Sequence, residues 1–167
     1  MAGDDPHALQ RQLGARRYRL SCEPADIDAL AAHVYLSRAY WSEGIPLALV
    51  QRAIEHSLCI ALRCAAEEGP EAQVGFARMV TDRATYAYLC DVYVLEPHRR
   101  QGLADWMMQT LLQHPDLQGL RRLQLVTRDM QALYARHGFQ PLGHPERGME
   151  IARPGLYLRA AADPPPG

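Results

Sequence analysis

No run of apolar residues in this chain approaches the roughly 20 that a membrane-crossing helix needs, so no membrane role is expected. Basic charge is not in excess either. Eighteen Lys and Arg stand against 19 Asp and Glu, a formal net charge of −1, where a nucleic-acid partner usually demands a basic surplus. The opening MAGDDPHALQRQLGARRYRL has acidic residues where a secretory signal has a basic region and then an apolar core, which predicts a cytoplasmic protein. Cys22, Cys59, Cys64 and Cys90 form no CxxC pair and the histidines no HExxH or HxH pattern. A thiolate metal site or a disulfide framework is therefore not expected, and the cysteines read as reduced core residues. GxGxxG and GxxxxGK[ST] are both missing, which excludes the dinucleotide fingerprint and the P-loop. There is no internal repeat and no linker long enough to divide 167 residues into two domains.

What is present is an alternation of short strands and helices. Residues 1–15 read as a flexible lead-in, and RYRLSC, 17–22, as a first strand. Glu23, Pro24 and Asp26 signal a helix start, and Ile27, Leu30, Ala31 and Val34 recur at helical spacing. Gly44 and Pro46 interrupt before a second helix over about 46–56. SLCIALRCA and EAQVGFARMVTD predict neighbouring strands, and TYAYLCDVYVLEP, 85–97, predicts a central strand covered on both faces. A helix from about Gly102 carries Leu103, Met107 and Leu111 on one face, and RRLQLVT follows as a buried strand. Asp129 is a fair N-cap for the helix MQALYARH, with Gly138 at its left-handed end and Phe139 folding back. Last strands are expected near 139–143 and 148–159, before a disordered tail over 160–167. The order β-α-α-β-β-β-α-β-α-β-β predicts one mixed α/β domain over 16–159, a mixed sheet with helices on both faces.

The stretch HRRQGLADWM, 98–107, sets a basic, glycine-bearing turn between the central strand and a helix. The first amides of a helix have no internal partner and carry the positive end of its dipole, so such a turn suits a phosphate. Gly102 lets an anion approach the backbone, Ala104 keeps the next contact small, and Arg99 and Arg100 add donors for phosphate oxygens.

The pattern Arg99-x-x-Gly102-x-Ala104 after VYVLEP resembles the diphosphate signature of the GNAT superfamily of acetyl-CoA-dependent N-acetyltransferases, and ALYARHGFQPL, 132–142, resembles that family's helix with a catalytic tyrosine. Within it, YLCDVYVLEPHRRQGLADWM is most similar to the small-molecule amine branch. The resemblance implies an acyltransferase that moves an acetyl group from acetyl-CoA to a primary amine by direct attack in a ternary complex. It implies that the backbone of Arg100, Gln101, Gly102, Leu103 and Ala104 holds the CoA diphosphate, that Val92, Tyr93 and Val94 supply the oxyanion amide and strand-like contacts, and that Tyr134 protonates the departing thiolate. In the polyamine branch a Glu-Asp pair stands where this chain has Cys90-Asp91. Asp91 then either orients the amine or a proton-carrying water, or caps local backbone; Asp82 and Glu55 are weaker bases. Tyr40 and Trp41 are expected on the acceptor side, or as packing for the helix pair. Arg78 pairs with Asp91 or Asp82, or binds a substrate carboxylate; Arg128 and Asp129 read as a cap and surface pair. A protein or peptide amine as acceptor, or a non-catalytic acyl-CoA sensor, are the alternatives. Relatives that pair through their last strands make a homodimer one implied assembly.

Overall fold

Strands dictate the frame, because the most β-rich segments of the chain hydrogen-bond in sequence order. The structure is a computed structural model describing residues 9–65 and 69–162. It contains β1 (Gln10–Leu13), β2 (Arg16–Ser21), α1 (Ala29–Leu36), α2 (Leu47–Glu55), β3 (Leu58–Ala65), β4 (Ala72–Thr81), β5 (Tyr86–Val94), α3 (Leu103–Leu112), β6 (Arg122–Leu125), α4 (Gln131–Ala135) and α5 (Leu156–Ala162). The six strands make one sheet in the order β1-β2-β3-β4-β5-β6. Every neighbouring pair is antiparallel except β5 with β6, which is parallel.

The sheet is covered on both faces, as the alternating sequence predicts. On one face α3 buries Leu103, Trp106, Met107, Met108 and Leu111 against Tyr18, Ile60 and Leu62. Each such fully buried side chain contributes about 1.5–3 kcal/mol by leaving water. On the other face Ala32 and Leu36 of α1 and Val50 of α2 meet Cys59, Phe76 and Tyr93. The helical start at Pro24 is only a 3-10 turn, Pro24–Asp26, and α1 begins later, where the Asp28 side chain accepts from the amide of Ala31. Of the expected stripe, Ile27 packs against the core but Leu30 and Val34 are exposed, and Ala32 and Leu36 face the sheet instead.

The two ends of the chain depart most from expectation. The lead-in is not wholly loose, because Gln10–Leu13 pairs with Arg16–Ser21 as β1; residues 1–8 lie outside the described residues. The last two strands do not form. Residues 139–155 hold only a 3-10 turn, Pro145–Arg147, and the expected strand over 148–159 ends in α5. Pro141, Pro145 and Pro154 remove ladder donors there, and the LYLRAAA segment of α5 is rich in strong helix formers. Residues 160–162 of the expected tail complete α5, and the rest of that tail lies outside the described residues.

A charged clamp fastens β2, β3 and the approach to β4. Arg19 donates to Asp26 at 2.7 Å and to Glu71 at 2.8 Å, and Arg63 donates to Glu71 at 2.8 Å. Hydrogen bonds from Arg19 hold both carboxyls at about 2. Folded values below the unfolded 3.8 and 4.5 mean that the clamp is fully stabilising above the unfolded values and is lost as pH falls through about 2. Urea unfolding should therefore show stability dropping between about pH 5 and 2 less steeply in Glu71→Gln than in the parent chain. An equal slope would mean that the clamp contributes nothing.

Candidate active site

β5 is longer than its parallel partner, and the site grows from that mismatch. β6 pairs with Tyr86 to Leu89 and stops, so residues 90–94 have a strand neighbour on the β4 side only. The β4 register also slips there. Phe76 faces Tyr93 but Arg78 faces Cys90, so Ala77 alone opposes Asp91 and Val92 in a β-bulge. Asp91 adopts a left-handed φ of 56°, which aspartate tolerates better than most residues.

The bulge turns the Asp91 carboxylate into a clamp. It accepts from Arg78 Nε at 2.7 Å and from Trp41 Nε1 at 3.0 Å, while Arg78 Nη1 donates to Ser57 Oγ at 3.1 Å. Of the expected partners for Arg78, the structure selects Asp91. Trp41 stands in the segment between α1 and α2, so this bond ties that segment to the bulge. Asp82 is not brought to the site. Its carboxylate accepts from the amides of Ala84, Thr85 and Tyr86 and from the Thr85 hydroxyl, closing the β4–β5 hairpin.

After β5, a 3-10 turn over Glu96–His98 leads to Arg100 with φ 59° and to Gly102 with φ 73°, which caps the ten-residue α3. Among the described residues, the amides of residues 100–105 donate no hydrogen bond. A Cβ built on Gly102 would meet no protein atom within 4 Å. Left-handed geometry is what makes glycine the favoured residue at this open position. Arg99 Nε donates to the Val94 carbonyl at 2.7 Å, and the residue lines the groove described below. Arg100 and Gln101 are exposed at the turn.

Two cavities run along this edge. One, of about 440 Å³, includes Arg100, Gly102 and Leu103 in its walls. The other, of about 410 Å³, is lined by Tyr40, Trp41, Val92, Tyr93 and Tyr134 among others. They share Val94, Arg99, Ala104, Asp129, Met130 and Leu133, so they form one groove from the start of α3 to the bulge. A further cavity of about 500 Å³ lies between Tyr40 to Glu43 and the C-terminal segment around Arg153 and Tyr157.

Tyr134, on α4, is 8 % exposed, and its ring meets Phe139 edge to face at 6.0 Å, the fold-back that Gly138 (φ 89°) allows. Burial, helped by the neighbouring Tyr40, pushes its phenol up to about 12. That is higher than the ordinary value of about 10 assumed from sequence. The Asp129 cap does not form, since the Met130 amide is met by Thr127 Oγ1 instead and α4 starts at Gln131.

The sequence of residues 61–141 matches the model of the acetyltransferase (GNAT) domain family. A Gibberella zeae protein assigned as an acetyltransferase is 34% identical over 138 residues, 72% of this chain and 77% of that one. The chain belongs to the GNAT acetyltransferases. A solved structure assigned to the same GNAT family, from Xanthomonas campestris pv. campestris, is 46% identical, with a TM-score of 0.77 over 84% of this chain and 96% of that one. A Clostridium acetobutylicum protein solved with acetyl-CoA shares the fold at 17% identity, with a TM-score of 0.57 over 82% of this chain and 96% of that one.

As a GNAT acetyltransferase the chain is an acyltransferase, and its groove contains residues that motif reading passes over. Tyr35 of α1 stacks on Tyr93 at 3.9 Å between ring centres and lines the groove. It lies beside the apolar positions counted for α1, so periodicity alone hides it. Arg128, read as a surface residue, stacks over Tyr40 at 4.1 Å as well as pairing with Asp129 at 3.6 Å. Among the described residues no cluster of His, Cys, Asp and Glu has a metal-binding arrangement, and no helix is long and apolar enough to cross a membrane.

Proposed function

We propose that this chain transfers an acetyl group from acetyl-CoA to the primary amine of a small molecule, by direct attack within a ternary complex. The observation that carries it is the groove of shared walls, with unpartnered amides at the start of α3 and Tyr134 beside the β5 bulge. The amides of residues 100–104 fit a diphosphate, a dianion best held by several N–H donors at a helix start. The unpaired edge of residues 90–94 suits the amides of a pantetheine arm. The fold neighbour solved with acetyl-CoA supports that donor.

In this scheme the neutral amine attacks the thioester carbonyl and an amide at Val92, Tyr93 or Val94 stabilises the oxygen as it gains charge. The C–S bond then breaks. Tyr134 gives its proton to the leaving sulfur, and the single proton lost by the attacking nitrogen is relayed through water ordered at Asp91 to the phenolate. The phenol, held near 12, regains its proton as the acidic ammonium of the adduct releases one. Asp91, neutralised by Arg78 and tied to Trp41, acts by orienting rather than as a free base. Near-neutral overall charge and a cavity of about 500 Å³ beside Trp41 favour a small acceptor over a protein tail. A thiol-release assay over a panel of primary amines, with acetyl-CoA as donor, is expected to find at least one accepted small amine. Turnover confined to peptides would shift the acceptor class, and CoA uptake without turnover on any amine would make the chain a sensor.

A further inference from the structure

His98 stands immediately before the basic turn and takes no part in the scheme above. Tyr18, on β2, is fully buried, and its hydroxyl lies 2.8 Å from His98 Nδ1, with the two rings edge to face at 5.7 Å. Arg16, two residues earlier on the same strand, donates to the Pro97 carbonyl at 3.1 Å, so β2 braces the turn at two points. Burial, and then the Arg16 cation, oppose a second proton on His98 and keep its imidazole neutral. The Tyr18 hydroxyl, with Arg16 and Cys64 also beside it, can give its proton to Nδ1. An imidazole that accepts at Nδ1 carries its own proton at Nε2.

Nδ1 faces the buried Tyr18, so the opposite ring edge is left for the groove that His98 lines together with Arg99, Arg100 and Gly102. Arg99 Nε is engaged by the Val94 carbonyl and Arg100 is exposed, while both residues line the groove with His98. A neutral N–H at the mouth supplies a fixed donor there.

We propose that His98 is a phosphate-binding residue of this groove: Tyr18 fixes it as the Nε2–H form, and Nε2 donates to a phosphate oxygen of the CoA nucleotide. This rests on the reading that the groove takes acetyl-CoA. The diphosphate and the 3′-phosphate offer the same oxygen chemistry, and dephospho-CoA, which lacks the latter, tells them apart.

The test is calorimetric titration of CoA and dephospho-CoA into the full chain and its variants, with nitrogen-15 spectra of the histidine rings. His98→Ala is expected to weaken CoA about tenfold, the size of one hydrogen bond to a charged group. His98→Gln, which keeps a side-chain N–H, should recover part of that loss. Tyr18→Phe keeps the packed ring but frees Nδ1, so affinity should fall severalfold and the His98 spectrum should change from a single Nε2–H tautomer to a mixture. Equal losses with both nucleotides assign the contact to the diphosphate; a loss confined to CoA assigns it to the 3′-phosphate. A parent chain that takes up no CoA overturns the reading of the groove itself. A parent chain that binds CoA while His98→Ala binds it equally well overturns only the part given to His98. So does an Nδ1–H tautomer in the parent spectrum, which needs no variant to fold.

Discussion

Replacing Tyr134 by phenylalanine is expected to lower kcat by about 10²–10³-fold while the Kd for CoA stays within about twofold. Its ring is what holds Tyr134 in the fold, packed with Leu133 in the main core and edge to face with Phe139. Phenylalanine keeps all of that packing. The hydroxyl has no hydrogen-bond partner among the described residues, so its removal strands no buried group. What disappears is a proton at the wall of the groove. Because the phenol sits at about 12, it keeps that proton throughout the neutral and moderately alkaline range. An acid fails only when its proton has already gone, so kcat in the parent chain should show no Tyr134-dependent fall below about pH 10. Steady-state kinetics beside CoA titration separates the two effects: unchanged kcat in the variant ends the assignment, and a parallel collapse of CoA affinity would make Tyr134 a binding residue instead.

Gly102→Val should cost about a hundredfold or more in CoA affinity. Two effects combine. At φ 73° a β-branched residue is strained by about 1–2 kcal/mol, which tends to unwind the cap of α3 and scatter its amides. The added carbons also fill open space at the turn, where a Cβ has no neighbour within 4 Å beyond the adjoining residues. Gly14→Val is the matching control: Gly14 has φ 60° and equally open surroundings, but sits in the β1–β2 hairpin. The two variants should lose similar stability in thermal unfolding, and only Gly102→Val should lose CoA. If both keep CoA, the turn before α3 is not where the nucleotide binds.

The central part of the chain was legible because its signals are local and strong. The β-rich run ending at Val94, the glycine at the start of α3 and the glycine after α4 each impose their own geometry, and the structure has all three. The Asp91–Arg78 pairing was legible as one of several options, because both residues broke the pattern of otherwise apolar strands. The termini were harder. Residues 148–159 alternate like a strand, but strand formation needs a neighbour with free donors, and alternation does not reveal whether one exists. Tyr35, Arg128 and His98 escaped for a different reason: each matters through a partner more than 50 residues away in sequence, Tyr93, Tyr40 and Tyr18 respectively. No window of local sequence contains such pairs.

The Arg78–Asp91 couple leaves the bulge electrically balanced, and Arg128 already covers a face of Tyr40 at the rim. Under the proposed function, an arriving ammonium therefore meets paired charges both at the bulge and at the rim, where Arg128 also lies against Asp129. If the acceptor is the small amine proposed, discrimination falls to the contour of its carbon skeleton and to how readily it sheds its proton in bulk water.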